Sequence, residues 1–75
     1  MARDTRDRIL DTALAQFVAR GVEAVAVTDL EEGAGLKPGS GSFYRHFRSK
    51  VDAMLVDIEL QAIKLVEIIH GERQA

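Results

Sequence analysis

The chain has no cysteine and no tryptophan, one proline, and few aromatic side chains, 5% of its 75 residues. Without cysteine there is neither a disulfide framework nor a thiolate nucleophile, and the classical zinc sets built on thiolates are excluded. No apolar run approaches the roughly 18 residues of a membrane span. The N-terminal MARDTRDR is charged where a secretory leader would need an apolar stretch, so a cytoplasmic setting is expected, with no membrane partner. The two histidines, His46 and His70, fall on separate segments, which leaves no metal set or nucleophile pair and argues against an enzyme. No cofactor is expected.

What is present is a soluble globular balance, 47% apolar and 29% charged, with a formal net charge of -2. One small domain is all this length allows. The acidic balance runs against nucleic-acid binding, but its distribution does not. Lys37, Arg45, Arg48 and Lys50, with His46, fall between residues 37 and 50 with no acid among them. A basic face on an acidic body is the arrangement that a phosphate backbone attracts.

Asp4 or Thr5 can cap a first helix whose Ile9, Leu10, Ala13, Leu14, Phe17 and Val18 recur at three-and-four spacing, with Gly21 as a left-handed stop. Val22 to Val27 reads as an extended connection. A short helix from Val27 or Thr28 to Ala34 follows, Thr28-Asp29-Leu30-Glu31 having capping-box form, with Glu31 and Glu32 on its exposed side. Lys37-Pro38-Gly39-Ser40-Gly41-Ser42 then forces a turn, and Ser40 or Ser42 can cap one or two helical turns from Phe43 to Phe47. Ser49, with Asp52 three residues on, opens a long last helix to about His70. Its Val51, Met54, Leu55, Ile58, Ala62, Leu65, Val66 and Ile69 form one stripe, which the first helix can cover for only part of its length, and Val56, Leu60 and Ile63 should face outward as a second stripe through which the chain self-associates. Phe43 and Phe47 are expected in a core with Leu30, Leu36, Leu14 and Phe17. Two short helices about a glycine-bearing turn, flanked by longer ones, make a helix-turn-helix in an all-α fold.

From Arg6 to Leu55 the chain resembles the TetR family of transcriptional regulators. The likeness rests on Ile9-Leu10-Asp11-Thr12-Ala13 with Phe17 and Gly21, on Ala34-Gly35-Leu36, and above all on Phe43-Tyr44-Arg45-His46-Phe47-Arg48-Ser49-Lys50. It implies a three-helix, homeodomain-like bundle followed by a long fourth helix. On this reading residues 1–50 are the DNA-binding domain, and 51–75 a connecting helix toward a ligand-binding and dimerisation domain that is missing here. It further implies a homodimer on the palindromic operator of double-stranded DNA, usually as a repressor, with a small-molecule effector only in a full-length form. The alternative is a truncated interaction module that pairs with a regulator through its last helix.

The DNA-binding residues expected on this basis are Thr28, Lys37, Ser40, Gly41, Ser42, Tyr44, Arg45, His46 and Lys50. Ser40, Gly41 and Ser42 allow close approach to base edges and their amides favour a phosphate, or they only form the turn. Tyr44 lies along the backbone or joins the core. Arg45 reads a guanine edge or is a solvated surface arginine. His46 touches the DNA backbone or is a surface imidazole. Lys50 is expected on a phosphate, Thr28 on the backbone or as a cap. Arg3 and Arg6 form a minor-groove arm or a charged terminus. Three departures stand against the resemblance: Leu36 to Tyr44 spans nine residues, two more than it leads one to expect; Ala26 stands where a capping hydroxyl is usual; Glu31 replaces a small residue.

Overall fold

The computed structural model describes residues 4–74, the last three by their backbone alone. Three α-helices, α1 (Thr5–Arg20), α2 (Val27–Gly33) and α3 (Lys50–Gln74), alternate with single 3-10 turns at Val22–Ala24 and Ser42–Arg45. No strand occurs among the described residues, so the fold is all-α as expected.

The start of α1 follows from one side chain: Asp4 accepts from the Asp7 amide at 2.8 Å, satisfying one of the donors that a helix N-terminus leaves without an intrahelical partner. Ile9, Leu10 and Ala13 are buried on its inner face, whereas Val18 is 80% exposed. At the other end the Gly21 amide returns to the Phe17 carbonyl at 2.9 Å. Gly21 has φ 84° and ψ 148°, a positive-φ conformation open to glycine but outside the left-handed helical region that the sequence suggests. The following connection is not wholly extended. It makes one 3-10 turn that drives Val25 completely into the core, and the Arg20 guanidinium secures it by donating to the Ala24 carbonyl at 2.9 Å.

α2 begins at Val27, and its capping differs from expectation. Asp29, three residues beyond the Ala26 cap position, accepts from the Ala26 amide at 3.0 Å; Ala26 has no side-chain acceptor to reciprocate, so the arrangement is half a capping box. Neither Thr28 nor Glu31 takes part in it. This amide, opposed by desolvation and helped by the guanidinium of Arg20, holds the Asp29 carboxyl below its usual range. Gly33 ends the helix close against α1: a Cβ there would fall 2.5 Å from Thr12 Cγ2, so the two helices meet through a position where only hydrogen fits.

The core comprises Ile9, Leu10, Ala13, Val25, Leu30, Ala34, Phe43, Phe47 and Ala53, with Phe17, Val27, Leu36 and Val56 packed partly buried around it. Full burial of each larger side chain is worth about 1.5 to 3 kcal/mol. Leu14, expected there, is only half-buried. The cap of α3 matches its reading, Ser49 accepting from the Asp52 amide at 3.1 Å while Asp52 accepts from that of Arg48 at 3.0 Å.

The inward face of α3 corrects the sequence reading. Ala53 and Asp57 are buried and Val56 packs on the core, whereas Val51, Leu55 and Ile58 are 52%, 56% and 56% exposed. The small Ala53 lets α1 approach closely and so sets the rotation of the helix, which a pattern weighted by large apolar side chains misses. Asp57 is consequently carried inward at 4% exposure, and its Oδ2 makes no hydrogen bond among the described residues. Burial, reinforced by the charge of Asp11 and opposed by Lys64, pushes its carboxyl up to about 6.

Candidate nucleic-acid interface

The segment between α2 and α3 carries most of the residues singled out above, and its geometry follows from Phe43. A 3-10 helix advances about 120° per residue. With Phe43 fully buried, its neighbours in the Ser42–Arg45 turn must therefore emerge on the outside. Tyr44 is 60% exposed, its ring edge-on to Phe43 at a centroid distance of 5.3 Å. Arg45 and His46 are exposed, and Phe47 returns to the core 5.5 Å from Phe43. The two phenylalanines thus act as a pair of pegs between which the polar side chains are presented outward. Tyr44 does not join the core.

The turn before it is built for small residues. Gly41 sits in the left-handed region at φ 80° with open space around it, a conformation that a side chain would strain. Gly41 occupies the cap position with no side-chain hydrogen bond, but one residue earlier the Ser40 hydroxyl accepts from the Ser42 amide at 3.3 Å, the first amide of the 3-10 helix. The Ser40 and Ser42 hydroxyls also bond each other at 2.8 Å. Ser40 is exposed, Gly41 and Ser42 half-exposed, and Lys37 exposed at the start of the turn. Thr28 is exposed on α2.

Sequence reasoning missed Glu31. It was placed on an exposed face, yet it is 1% exposed, turned under the Lys37–Ser42 turn, where it accepts from the amides of Gly39 at 2.9 Å and Phe43 at 3.1 Å. The amide of Phe43 contributes most to holding this carboxyl below its usual range, against desolvation, with Gly39, Gly41 and Ser42 adding to it. Of the amides expected to be free for a phosphate, that of Ser40 donates to the Lys37 carbonyl at 3.2 Å and that of Ser42 to the Ser40 hydroxyl at 3.3 Å, while the amides on either side of them, Gly39 and Phe43, are taken by Glu31. Glu31 also resolves the two departures in this region together, since the longer turn exposes additional amides and the acid meets them.

Lys50 also departs from expectation. It is half-buried, and its ammonium donates to the carbonyls of Val22 at 3.0 Å and Val25 at 2.8 Å. Two of its three donors are thus spent inside the protein. Arg6 lies in the first turn of α1 with its guanidinium 5.4 Å over the Phe47 ring, and Arg3 lies outside the described residues. No group of histidine and acidic side chains among the described residues could hold a metal ion, and no helix is long and apolar enough to cross a membrane.

Two helices joined through a glycine-rich turn, with a cationic and aromatic outer surface on the second, define a helix-turn-helix DNA-binding domain. Residues 9–55 match the family described as bacterial regulatory proteins, tetR family, and the chain belongs to that family. It is 45% identical over 53 residues to the HTH-type transcriptional repressor KstR2 of Mycobacterium tuberculosis, covering 67% of this chain and 26% of that protein. With KstR2 of Mycolicibacterium smegmatis it shares 44% over 45 residues, 60% of this chain and 21% of the relative. With the HTH-type transcriptional regulator SrpR of Pseudomonas putida it shares 38% over 53 residues, 71% and 24% respectively. The chain thus spans about a quarter of the length of these relatives. No solved structure matches it.

Proposed function

We propose that the chain binds duplex DNA in a sequence-dependent way, two copies acting on a two-fold-symmetric operator in the cytoplasm to repress transcription. The observation that carries this is the exposed row of Tyr44, Arg45 and His46 held outward by Phe43, within a stretch from Lys37 to Lys50 that contains no acid. Lys37, His46 and the Tyr44 hydroxyl are placed to meet phosphates, which fix register. Arg45, on the same 3-10 turn, has the planar fork that pairs with a guanine edge in the major groove. Ser40, Gly41 and Ser42 are small enough for the turn to approach the bases closely, and Thr28 reaches the flanking backbone from α2. Lys50 serves this surface chiefly from behind, by holding the Val22–Val25 segment.

A single helix-turn-helix reads only a few base pairs, so two copies are needed for a specific site. The repressor reading is supported by the name of the KstR2 relatives, and a pairing domain and a small-molecule effector are what membership of the family implies. The test is binding of the chain to duplexes selected from a randomised pool, followed by titration at several salt concentrations. The expected result is a selected sequence with internal two-fold symmetry and an affinity that falls linearly on a log–log plot against salt. Binding insensitive to salt, or no selected sequence at low salt, would falsify the reading.

A further inference from the structure

We infer that Glu31 is the positioning residue of the DNA-reading surface, the buried carboxylate that fixes the Lys37–Ser42 turn and thereby sets the stance of Tyr44 and Arg45 toward the bases. The inference rests on the DNA-binding reading above and adds to it a residue that touches no DNA.

The argument begins with the donors. A 3-10 helix, like an α-helix, starts with amides that have no partner within the helix. At the 3-10 turn Ser42–Arg45 the cap residue is Gly41, which has no side chain, and the Ser40 hydroxyl reaches only the Ser42 amide, at 3.3 Å. Phe43 is fully buried, so its amide has no water to turn to and would be left unsatisfied without a fixed acceptor. Glu31 is that acceptor: one oxygen takes the Phe43 amide and the other takes that of Gly39. The carboxylate therefore spans the turn from its middle to the first residues of the reading element. Both bonds go to a carboxylate and are therefore charge-assisted, a class stronger than neutral bonds, and they tie the turn to the second helix rather than to itself.

The rest of the turn has few other ties. Its remaining bonds are local, the Ser40 amide to the Lys37 carbonyl, the Tyr44 amide to that of Gly41, the Ser42 amide to the Ser40 hydroxyl, and the serine hydroxyl pair, and none of these reaches α1, α2 or α3. With Gly39 and Gly41 both at positive φ, the backbone here is the most permissive in the domain. Recognition of base edges requires placement within fractions of an ångström, and Glu31 supplies the constraint that the glycines do not.

The experiment uses the full chain with Glu31→Gln, which keeps the shape but sets an amide NH2 against one of the two donors. Its readouts are backbone amide NMR and binding to the duplex that the unmodified chain selects, with a scrambled duplex as reference. The expected result has three parts. Amide shifts change at residues 37–45 and not in the α1–α3 core, the preference for selected over scrambled duplex falls roughly tenfold, and the salt slope stays the same because no phosphate contact is lost. Unchanged discrimination, or a fall in affinity equal for both duplexes, overturns the inference. If Glu31→Gln does not fold, Glu31→Asp decides by the same readouts: it keeps the charge and an acceptor for the Phe43 amide but shortens the reach to Gly39, so amide shifts should change at residues 37–42 with discrimination reduced, and unchanged discrimination overturns the inference. Selection of no duplex by the unmodified chain overturns the DNA reading itself, an outcome kept apart because the NMR signals report on the turn without DNA.

Discussion

The Lys50 ammonium lies 2.8 Å from the Val25 carbonyl, so the first residue of α3 is fastened to the connection between α1 and α2 rather than offered to solvent. A cation at this position would ordinarily be assigned to a phosphate. Its removal should be felt in stability instead. Lys50→Met leaves the Val22 and Val25 carbonyls without their donor, a cost of about 1 to 3 kcal/mol, and in a domain of this size each kcal/mol lowers Tm by about 4 to 8 °C. The log–log salt slope of DNA binding should change by clearly less than one. Thermal unfolding and salt titration of the same variant check both halves; unaltered Tm with a slope lower by one reverses the assignment.

Lys37 and Arg45 should separate where Lys50 does not. Lys37→Ala is expected to weaken all duplexes alike and to lower the salt slope by about one. Arg45→Ala is expected to relax preference at one base position by about 1 to 3 kcal/mol. Competition between the selected duplex and its single-base variants distinguishes them. Equal losses on every duplex for Arg45→Ala would reduce it to a phosphate contact.

Asp57 gives the domain an unusual dependence on pH. Its carboxyl titrates near 6 in the folded chain against an ordinary value of 3.8, so between these values the folded state holds the proton more tightly than the unfolded state. Stability from this group is complete below 3.8 and lost as pH rises through about 6. Glu31 acts oppositely: its lowered carboxyl contributes above the ordinary 4.5 and loses that contribution only as pH falls through its lowered value. Thermal stability should therefore rise on acidification from neutrality toward pH 5 and fall in stronger acid. Asp57→Asn should be more stable at pH 7 by on the order of 1 kcal/mol, having no charge to bury, and should lose the rise. A parent whose Tm is flat between pH 5 and 7 contradicts the burial of Asp57.

The rotation of α3 makes a prediction about association. Val51, Leu55 and Ile58 are each more than half exposed, and burial against another surface is worth up to about 1.5 to 3 kcal/mol for each. The chain is expected to self-associate at high concentration. Replacing the three with Lys, Gln and Glu should shift sedimentation to a smaller species with helicity intact, whereas Val56→Lys should unfold the domain. Tolerance of Val56→Lys would return α3 to the rotation read from the sequence.

Much of this fold was legible because helix ends announce themselves: Asp4, Gly21, Ser49 and Asp52 act where their chemistry places them, and the Phe43 and Phe47 spacing gave the two core contacts of the reading element. Three features were not. The face of α3 is set by Ala53, whose small size matters only once α1 is beside it, and Asp57 is buried as a result of that rotation rather than of its own preference. Glu31 needs donors eight and twelve residues away in sequence, which no local pattern contains. Lys50 reaches carbonyls twenty-five and twenty-eight residues back. Of the interface, the identity of the outward residues was readable, but not which backbone amides and which ammonium were already taken.

The way the reading element is held divides its side chains by tolerance to change. Phe43 and Phe47 anchor it and Glu31 steadies its approach, while Tyr44, Arg45 and His46 are exposed, touching the anchors only through the ring contacts of Tyr44 with Phe43 and of His46 with Phe47. The turn is thus a replaceable cassette. A library randomised at positions 44, 45 and 46, with 31, 43 and 47 left alone, should yield mostly folded proteins, so that new operator preferences can be sought without first repairing the scaffold.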